Sequence, residues 1–370
     1  MHGSKTGILL VNLGTPDAPT YRHVRRYLSE FLMDGRVIDL PYWKRFLLVR
    51  GIIAPFRSAK VAREYRKLWL PEGSPLLVHG QSLAHQLQAR FSKAFPGNQV
   101  ALAMRYQNPG IRQALEQLRN GGAERIVVFP LFPQYASATT GSVAQKVMEI
   151  VSEWEVIPAL DFIQSYQDHP QFIEAFASKI QADIDRHQPD HILFSYHGIP
   201  ERHLDNIKQE NPRNCAWPKC NCETKSSRKP FCYRSASFET SERLATRLGL
   251  RFTKYSTAFQ SRLGKSPWIQ PYTDETIRQL AQRGIKKLLV VSPSFVADCL
   301  ETTLEIGEEY RELFLERGGT SFHFTESLNA SEAWVDAIYE MINEKIGRNE
   351  TIPNAKHAAW AKPSRVRATA

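Results

Sequence analysis

The sequence predicts an α/β fold with parallel sheets, arranged as two similar halves. Short apolar runs typical of buried strands alternate along the chain with helical patterns. Two distant segments also share one pattern, a helix ending in glycine that leads into an apolar strand: GGAERIVVFPLF and RGIKKLLVVSPSF. With 370 residues, of which 42% are hydrophobic, the chain is long enough to pack two such halves.

Four apolar runs are the predicted buried strands: residues 7–14, 125–134, 191–198 and 286–295. Between them, NPGIRQALEQLRNGG and TDETIRQLAQRG have helical periodicity. Proline and polar residues in PALDFIQSYQDHP place the junction between the halves near residues 158–168. We therefore expect an N-terminal half over residues 5–162, a C-terminal half over 163–345, and a basic, disordered tail over 346–370.

Composition narrows the function classes. The net charge of +10 favours anionic partners, but no stacked-aromatic RNA motif or zinc-finger spacing accompanies it, so nucleic acid is not expected. No GxGxxG or GxxxxGK[ST] follows a predicted strand, which argues against dinucleotide enzymes and P-loop hydrolases. The N-terminal apolar run is too short for a signal peptide and no run is long enough to span a membrane, which predicts a cytoplasmic protein.

Two groups of side chains follow predicted strands, where parallel sheets bind ligands. His197 ends the strand in ILFSYHGIPERH and could accept protons, ligate a metal or only cap the strand. In DCLETTLEIGEEY a helix is predicted to open near Asp298. Its acidic side chains recur at spacings of three and four residues: Asp298, Glu301, Glu305, and Glu308 or Glu309. This ladder is interpreted either as a cation path or as a solvated acidic face.

Two further segments carry weaker signals. Arg105 and Tyr106 follow an apolar run in ALAMRYQNPG, where the arginine could pair with a ligand carboxylate or with a surface partner. The mixture of aromatic, aliphatic and basic residues over 41–58 predicts either an amphipathic lip, which could touch a flat ligand or a bilayer, or a helix packed on the core.

Four of the five cysteines are clustered in NCAWPKCNCETKSSRKPFC: Cys215, Cys220, Cys222 and Cys232. In a reducing compartment such a cluster favours a metal site or free thiols over disulfides. Its spacing matches neither plant-type ferredoxins nor zinc ribbons. Cys299 stands apart and is interpreted as a small buried residue.

Several long motifs, in order, resemble the ferrochelatase family, which inserts ferrous iron into porphyrin. The resemblance covers about residues 5–345 and rests on these stretches: GILLVNLGTPDAP, YRKLWLPEGSPL, AMRYQNPGI, FPLFPQYASATTGS, LFSYHGIPERH, FQSRLGKSPWIQPYTDETI and FVADCLETTLEIGEEYRE. It implies two Rossmann-like, chelatase-type halves with a cleft between them. The segment at 41–58 would then be a lip that covers the porphyrin.

The resemblance also implies roles for individual residues. His197 and Glu301 match the family's metal and proton site, and Glu305 follows on the same helix. Porphyrin-pocket positions are matched by Arg105, Tyr106, Tyr135 and Trp268. The expected activity is insertion of Fe²⁺, the metal substrate, into protoporphyrin IX to give protohaem in haem biosynthesis.

The cysteines depart from the animal members of the family, whose iron–sulfur cluster takes one ligand from the PQYS-type loop and three from a C-terminal extension. Here that loop has Ala136, Ser137 and Ala138, and the tail has no cysteine. Certain bacterial relatives instead place four cluster cysteines internally. The resemblance thus implies an insertion at about 211–233 in which Cys215, Cys220, Cys222 and Cys232 hold a 2Fe–2S cluster, with zinc or free thiols as alternatives.

Other functions stay open at this stage. The chain could metallate another tetrapyrrole, such as coproporphyrin III, or insert another metal, such as cobalt. It could also be a haem or metal carrier without catalysis, although the acidic ladder beside His197 argues for chemistry. A peripheral membrane contact and the oligomeric state are left undecided.

Overall fold

A computed structural model describes residues 5–350, apart from 214, 216, 223–228, 230, 263 and 265. Its eight strands are β1 Thr6–Gly14, β2 Gln99–Tyr106, β3 Arg125–Pro130, β4 Ala159–Phe162, β5 His191–His197, β6 Tyr255–Gln260, β7 Lys287–Val291 and β8 Ser321–Thr325. They form two four-stranded sheets, ordered β2-β1-β3-β4 and β6-β5-β7-β8. All of the pairings within these sheets are parallel. The predicted α/β fold of two similar halves is confirmed.

Helices connect the strands as the alternating pattern requires. The α-helices are α1 Tyr21–Leu32, α2 Tyr42–Phe46, α3 Ala54–Leu68, α4 Pro75–Ala94, α5 Ile111–Asn120, α6 Ser142–Val151, α7 Pro170–His187, α8 Glu201–Glu210, α9 Tyr233–Arg247, α10 Thr273–Gln282, α11 Arg311–Glu316 and α12 Glu332–Glu350. Three segments are π-helical, namely Leu47–Ile53, Ser137–Gly141 and Glu301–Tyr310, and Phe252–Lys254 is a 3₁₀ turn. None of the described helices combines the length and apolar character of a membrane span.

The two sheets share one hydrophobic core. Alternate residues of β1 point to opposite faces, so Ile8 lies in the shared core while Leu9 packs on the outer face against α5 and α6. Phe194 of β5 joins the same shared core, and Leu193 packs on the outer face of the second sheet. The inner faces of both sheets therefore contribute to a single core.

Helix α12 closes this core across the halves. Tyr339 of α12 packs its ring 4.9 Å from that of Phe91 in α4, and Arg90 of α4 forms an ion pair with Asp336 of α12. The last strand of the first sheet ends at Phe162 and the next helix begins at Pro170. The division at residue 162 stays a prediction, because one core joins the two sheets.

The tail prediction falls largely outside the described residues. Helix α12 continues to Glu350, beyond the predicted start of the tail at residue 346. Residues 351–370 lie outside the part of the chain that the structure describes.

Candidate active site

His197 ends β5 on the second sheet. Its Nδ1 lies 2.6 Å from the carbonyl oxygen of Gly198. Because a carbonyl can only accept, Nδ1 carries the proton and donates, and Nε2 is left with the basic lone pair of the neutral ring. Among the described residues, no hydrogen-bond partner contacts Nε2. The ring thus presents one basic atom toward the end of the sheet.

Trp268 and Phe295 flank this imidazole, with ring centroids 6.3 Å and 6.2 Å from it. The tryptophan is held there because its segment pairs with the chain after His197, through a hydrogen bond from Ile269 N to Ile199 O of 3.0 Å. Gly198 makes the close approach feasible. A Cβ at this position would lie 2.9 Å from the backbone oxygen of Gln260 and 3.2 Å from a Trp268 ring carbon.

Glu301 begins the π-helical segment that follows β7, and its side chain is partly buried. The thiol of Cys299 hydrogen-bonds this carboxylate. Burial, and then the negative charge of Glu301, raise the pKa of Tyr65 on α3 and contribute to the raised pKa of Tyr27 on α1. The Cys299 thiol and the hydroxyls of Tyr27 and Tyr65 therefore stay protonated around the Glu301 carboxylate, which lies where the two halves meet.

Glu305 lies one π-helical turn further on and is held from several sides. Its oxygens accept hydrogen bonds from the backbone N of Ser261 at 2.9 Å and from the Tyr310 hydroxyl at 2.8 Å. The Ser261 hydroxyl donates at 2.5 Å and the Gln260 amide at 3.2 Å. This carboxylate is fixed rather than free to swing.

The expected acidic ladder is not carried by one helix alone. The segment is π-helical, with i→i+5 hydrogen bonds, and begins at Glu301, so Glu301 and Glu305 share it and Asp298 does not. Asp298 lies before the helix and accepts from Asn329 Nδ2 at 2.7 Å. Glu308 pairs with Lys67 of α3 at 2.9 Å. Glu301 and Glu305 are the partly buried carboxylates within the π-helical segment, and Asp298 before it is also partly buried.

Arg105 and Tyr106, at the end of β2, both bind Asp34. The guanidinium Nη2 lies 2.7 Å from Asp34 Oδ2, and the tyrosine hydroxyl donates to the same oxygen at 2.9 Å. Burial opposes ionisation of Asp34, but hydrogen bonds from Ser142 and the backbone of Arg36, with the charge of Arg105, lower its pKa overall. Tyr106 is only 1% exposed.

The same residues border a basic cavity of about 840 Å³. Its cationic lining residues are Arg22, Arg25, Arg26, Arg50, Arg105 and Lys146. The carboxylates in the lining are Glu30 and Asp34, so cations predominate. An anionic ligand group would be attracted there.

Tyr135 follows β3 and is partly buried, with its ring 5.3 Å from Phe231 in an edge-to-face contact. Both rings border a second cavity, of about 580 Å³, together with Asp39, His203 and Glu210. His203 is 8% exposed, and its Nε2 has no hydrogen-bond partner within the described ranges. The cysteine-rich insertion therefore contacts the loop that carries Tyr135.

The predicted lip is one continuous helical stretch from α2 through Leu47–Ile53 into α3. Its large apolar side chains point outward, with Tyr42 67%, Trp43 62% and Phe56 79% exposed. Val49 is buried. The stretch therefore shows an outward apolar surface as well as a packed side.

The thiols of the insertion contact one another. Cys222 Sγ and Cys220 Sγ are hydrogen-bonded at 3.0 Å. Hydrogen bonds from Cys232 lower the pKa of Cys215 to about 7 and that of Cys222 to about 6, and the same bonds raise the pKa of Cys232. Nevertheless, no three His, Cys, Asp or Glu side chains of the described residues form a group that could hold a metal ion. The thiols are adjacent, but their arrangement does not itself define a metal site.

Sequence reasoning missed the partners that hold these side chains. Tyr27 and Tyr65 lie on helical faces whose pattern is the same as that of ordinary core residues. Asp34 follows α1 without a motif, and only the fold brings it beside Arg105. The separation along the chain is large in each case, so no local pattern could have indicated these contacts.

Known proteins are similar to this chain in sequence and in fold. A ferrochelatase from Legionella pneumophila is 43% identical over 342 residues, covering 92% of this chain and 100% of the relative. One from Coxiella burnetii is 42% identical over 345 residues, covering 93% and 95%. The solved structure of SirB from Bacillus subtilis with Fe³⁺ aligns with a TM-score of 0.52 at 13% identity, over 94% of this chain and 97% of that one.

The SirB likeness concerns the fold alone. The two ferrochelatases are similar in sequence to this chain over nearly their whole length. The model of the ferrochelatase family matches residues 5–346, which include both sheets and all of the motifs around His197 and Glu301. The chain belongs to the ferrochelatase family.

Proposed function

We propose that this chain is a ferrochelatase that inserts Fe²⁺ into protoporphyrin IX to give protohaem, the last step of haem biosynthesis. The observation that carries the proposal is the imidazole of His197, whose basic Nε2 is unpartnered among the described residues and flanked by Trp268 and Phe295. Membership of the family and relatives named ferrochelatase support it.

The reaction exchanges two protons for one metal ion. Fe²⁺ sheds its water ligands, the porphyrin releases two pyrrole N–H protons, and four Fe–N bonds form. Removal of the pyrrole protons needs a base, and His197 Nε2 is placed to accept them. A bent macrocycle exposes its nitrogen lone pairs, so a pocket that favours the bent ring lowers the barrier.

Glu301 and Glu305 are proposed to attract and desolvate the metal. Hard divalent cations prefer carboxylate oxygens. Glu301 is the partly buried carboxylate nearest the start of the segment, and Glu305 is fixed behind it by Ser261 and Tyr310. A fixed carboxylate needs no reorganisation when the ion arrives.

The pocket walls are proposed to come from both halves. Trp268 lies beside His197, and Tyr135 lies on the loop after β3. Arg105 and Tyr106 are bound to Asp34, so we propose that they support the wall and contribute positive potential rather than a free donor.

The function is tested by anaerobic Fe²⁺ insertion into protoporphyrin IX, followed by the loss of porphyrin fluorescence. Coproporphyrin III and Co²⁺ are assayed in parallel. Faster turnover with coproporphyrin III would identify that porphyrin as the substrate, and faster turnover with Co²⁺ would identify cobalt as the metal. Tight porphyrin binding without metallation would support a carrier and contradict the enzyme.

We also propose that Cys215, Cys220, Cys222 and Cys232 hold a 2Fe–2S cluster. Their mutual contacts and the lowered pKa values of Cys215 and Cys222 favour thiolate ligands, and the charge of Arg234 favours the thiolate of Cys222. The donor type fits, but their grouping in the described chain does not, so no catalytic step is assigned to a cluster.

The cluster is tested on anaerobically purified protein by its visible absorption and its iron and sulfide content. Cys220→Ser should remove the bands, whereas Cys299→Ser, which replaces the cysteine outside the cluster, should retain them. Stoichiometric zinc without sulfide would identify a zinc site instead. Absence of both would leave free thiols.

The lip is proposed to make a peripheral membrane contact of a cytoplasmic protein. Trp43, Phe46 and Phe56 are exposed, and the basic Lys44 and Arg50 lie over the rings of Trp43 and Phe46, which is the composition of an interfacial helix. Co-sedimentation with anionic vesicles should weaken in Phe56→Ser. The matched control is Phe252→Ser, at an equally exposed position outside the lip, which should bind like the wild type.

A further inference from the structure

The backbone of His197 is held on both sides. Its N–H donates to the hydroxyl of Ser294 at 3.3 Å. Its carbonyl oxygen accepts from the hydroxyl of Tyr233 at 2.8 Å. The next N–H, of Gly198, donates to the carbonyl of Gln260 at 2.8 Å.

Two of these bonds act on one rigid unit. The carbonyl of residue 197 and the N–H of residue 198 belong to the same planar peptide group. Tyr233 holds its oxygen and Gln260 holds its N–H, so the plane cannot rotate without breaking a hydrogen bond. This plane fixes the N and Cα of Gly198, and the carbonyl of the same residue, which begins the next peptide group, accepts from Nδ1 of the imidazole.

The Tyr233 hydroxyl is the side-chain part of this clamp. The residue is 6% exposed, and burial raises its pKa, so the hydroxyl remains a donor. It begins α9, and Cys232, the residue before it, is 2% exposed and hydrogen-bonded to Cys215 and Cys222. One peptide bond therefore separates the cysteine contacts from the clamp on His197.

We propose that Tyr233 is a positioning residue for His197: it fixes the 197–198 peptide so that the imidazole keeps Nδ1 protonated and Nε2 basic, and it links the cysteine-rich insertion to the metal-insertion site. The first part deepens the proposed function and rests on it. A hydroxyl that only satisfied a buried carbonyl would stabilise the fold without affecting the ring.

Tyr233→Phe removes one oxygen atom and keeps the ring. We expect kcat for Fe²⁺ insertion to fall about tenfold, since small misplacements of a reacting group are costly, while KM for porphyrin changes less than about twofold. The ¹⁵N spectrum of histidine-labelled protein should show His197 as the Nδ1–H form in the wild type and as a tautomer mixture in the variant. His197→Asn assigns the signal among the eleven histidines.

Tyr196→Phe is the matched control. Its hydroxyl is equally buried, lies on β5 and bonds to Ser241 Oγ at 2.9 Å, away from the 197–198 peptide. We expect its kcat and its His197 signal to be those of the wild type. Equal losses in both variants would assign Tyr233 a merely structural role, and a Tyr233→Phe enzyme with wild-type kcat and tautomer would overturn the proposal.

The link to the insertion is tested by combining Tyr233→Phe with Cys232→Ala. If the cysteine acts through the tyrosine, the second change should lower kcat much less in the Tyr233→Phe background than in the wild type. Fully multiplicative effects would overturn this link. Because the tautomer is measured without turnover, a wild type that fails to metallate porphyrin contradicts the proposed function while the positioning role can still be judged.

Discussion

The two halves have the same backbone plan but different chemistry at the ends of their sheets. In the first sheet β1 lies between β2 and β3, and in the second β5 lies between β6 and β7. In each half the third strand along the chain leads to a π-helical segment. Ser137–Gly141 follows β3, and Glu301–Tyr310 follows β7. The equivalence extends to a rare helix type.

The side chains at these equivalent places differ. The π-helical segment after β3, SATTG, has no titratable group, and β1 ends in Gly14. The segment after β7 carries Glu301 and Glu305, and β5 ends in His197. The comparison teaches that a duplicated plan does not give a symmetrical site. The imidazole and the two carboxylates at these places lie on the second half, and the equivalent places of the first half are neutral.

The largest expected effect is at the end of β5. His197→Ala should lower the rate of Fe²⁺ insertion about 10³-fold or more, because the base is lost. Porphyrin binding, measured by fluorescence quenching, should stay within about threefold. His85→Ala, at an exposed site on α4 of the first half, should retain wild-type rates. Substantial residual turnover in His197→Ala would contradict the assigned asymmetry.

The next effect concerns the π-helical segment after β7. Glu305→Gln should lower kcat about 10- to 100-fold, because the carboxamide has one acceptor where four donors converge and carries no charge for the metal. Initial rates over a range of Fe²⁺ concentrations would measure it. Glu312→Gln, an exposed carboxylate on α11, provides the control and should change the rate less than twofold.

In the first half we expect a substitution to lower the stability of the fold. Asp34→Asn should lower the free energy of unfolding by on the order of 2 kcal/mol, because Arg105 and Tyr106 lose a shared acceptor. Urea denaturation at pH 7 measures it, with exposed Asp17→Asn as the control at less than about 0.5 kcal/mol. The pKa of Asp34 is depressed in the fold, so its contribution is present above the unfolded pKa and is lost as the pH falls below about 4. A difference that grew on acidification would contradict this assignment.

The smallest expected effect is a pH dependence of stability that arises at the start of β5 and has no counterpart at the start of β1. Burial lowers the pKa of His191 on β5 to about 4, whereas β1 begins with the non-titrating Thr6. Below about pH 6.5, His191 binds a proton in the unfolded chain but not in the folded one. The free energy of unfolding therefore falls between about pH 6.5 and 4. At pH 5 we expect a loss of on the order of 1 kcal/mol relative to pH 7, and His191→Gln should reduce it. An unchanged pH dependence in the variant would place the sensitivity elsewhere.

The sequence indicated the central strands better than the edges. The runs that became β1, β3, β5 and β7 are apolar and buried on both faces, so their periodicity was clear. The edge strands β4 and β8 mix polar and apolar residues, and β4 has one exposed residue and three that are partly buried. Such strands are defined by their neighbours rather than by their own pattern.

The site shows the same limit. His197 and Glu301 follow buried strands, so local sequence and motifs could locate them. The start of the π-helical segment at Glu301, after Asp298, depends on tertiary packing, as does the placement of Glu301 near Tyr27 and Tyr65. Hydrogen bonds between residues far apart in the chain leave no periodic signal, and the Tyr233 clamp is one of them.

The crossing of α12 has a mechanical consequence for the proposed binding of a bent porphyrin. Arg90 and Phe91 bind a helix from the other half, so opening the halves as a hinge would expose part of their common core. We expect the frame to stay stiff during turnover and the lip side chains, such as Trp43, to supply the movement. In the proposed mechanism, a stiff joint of this kind would resist the flattening of a bound porphyrin.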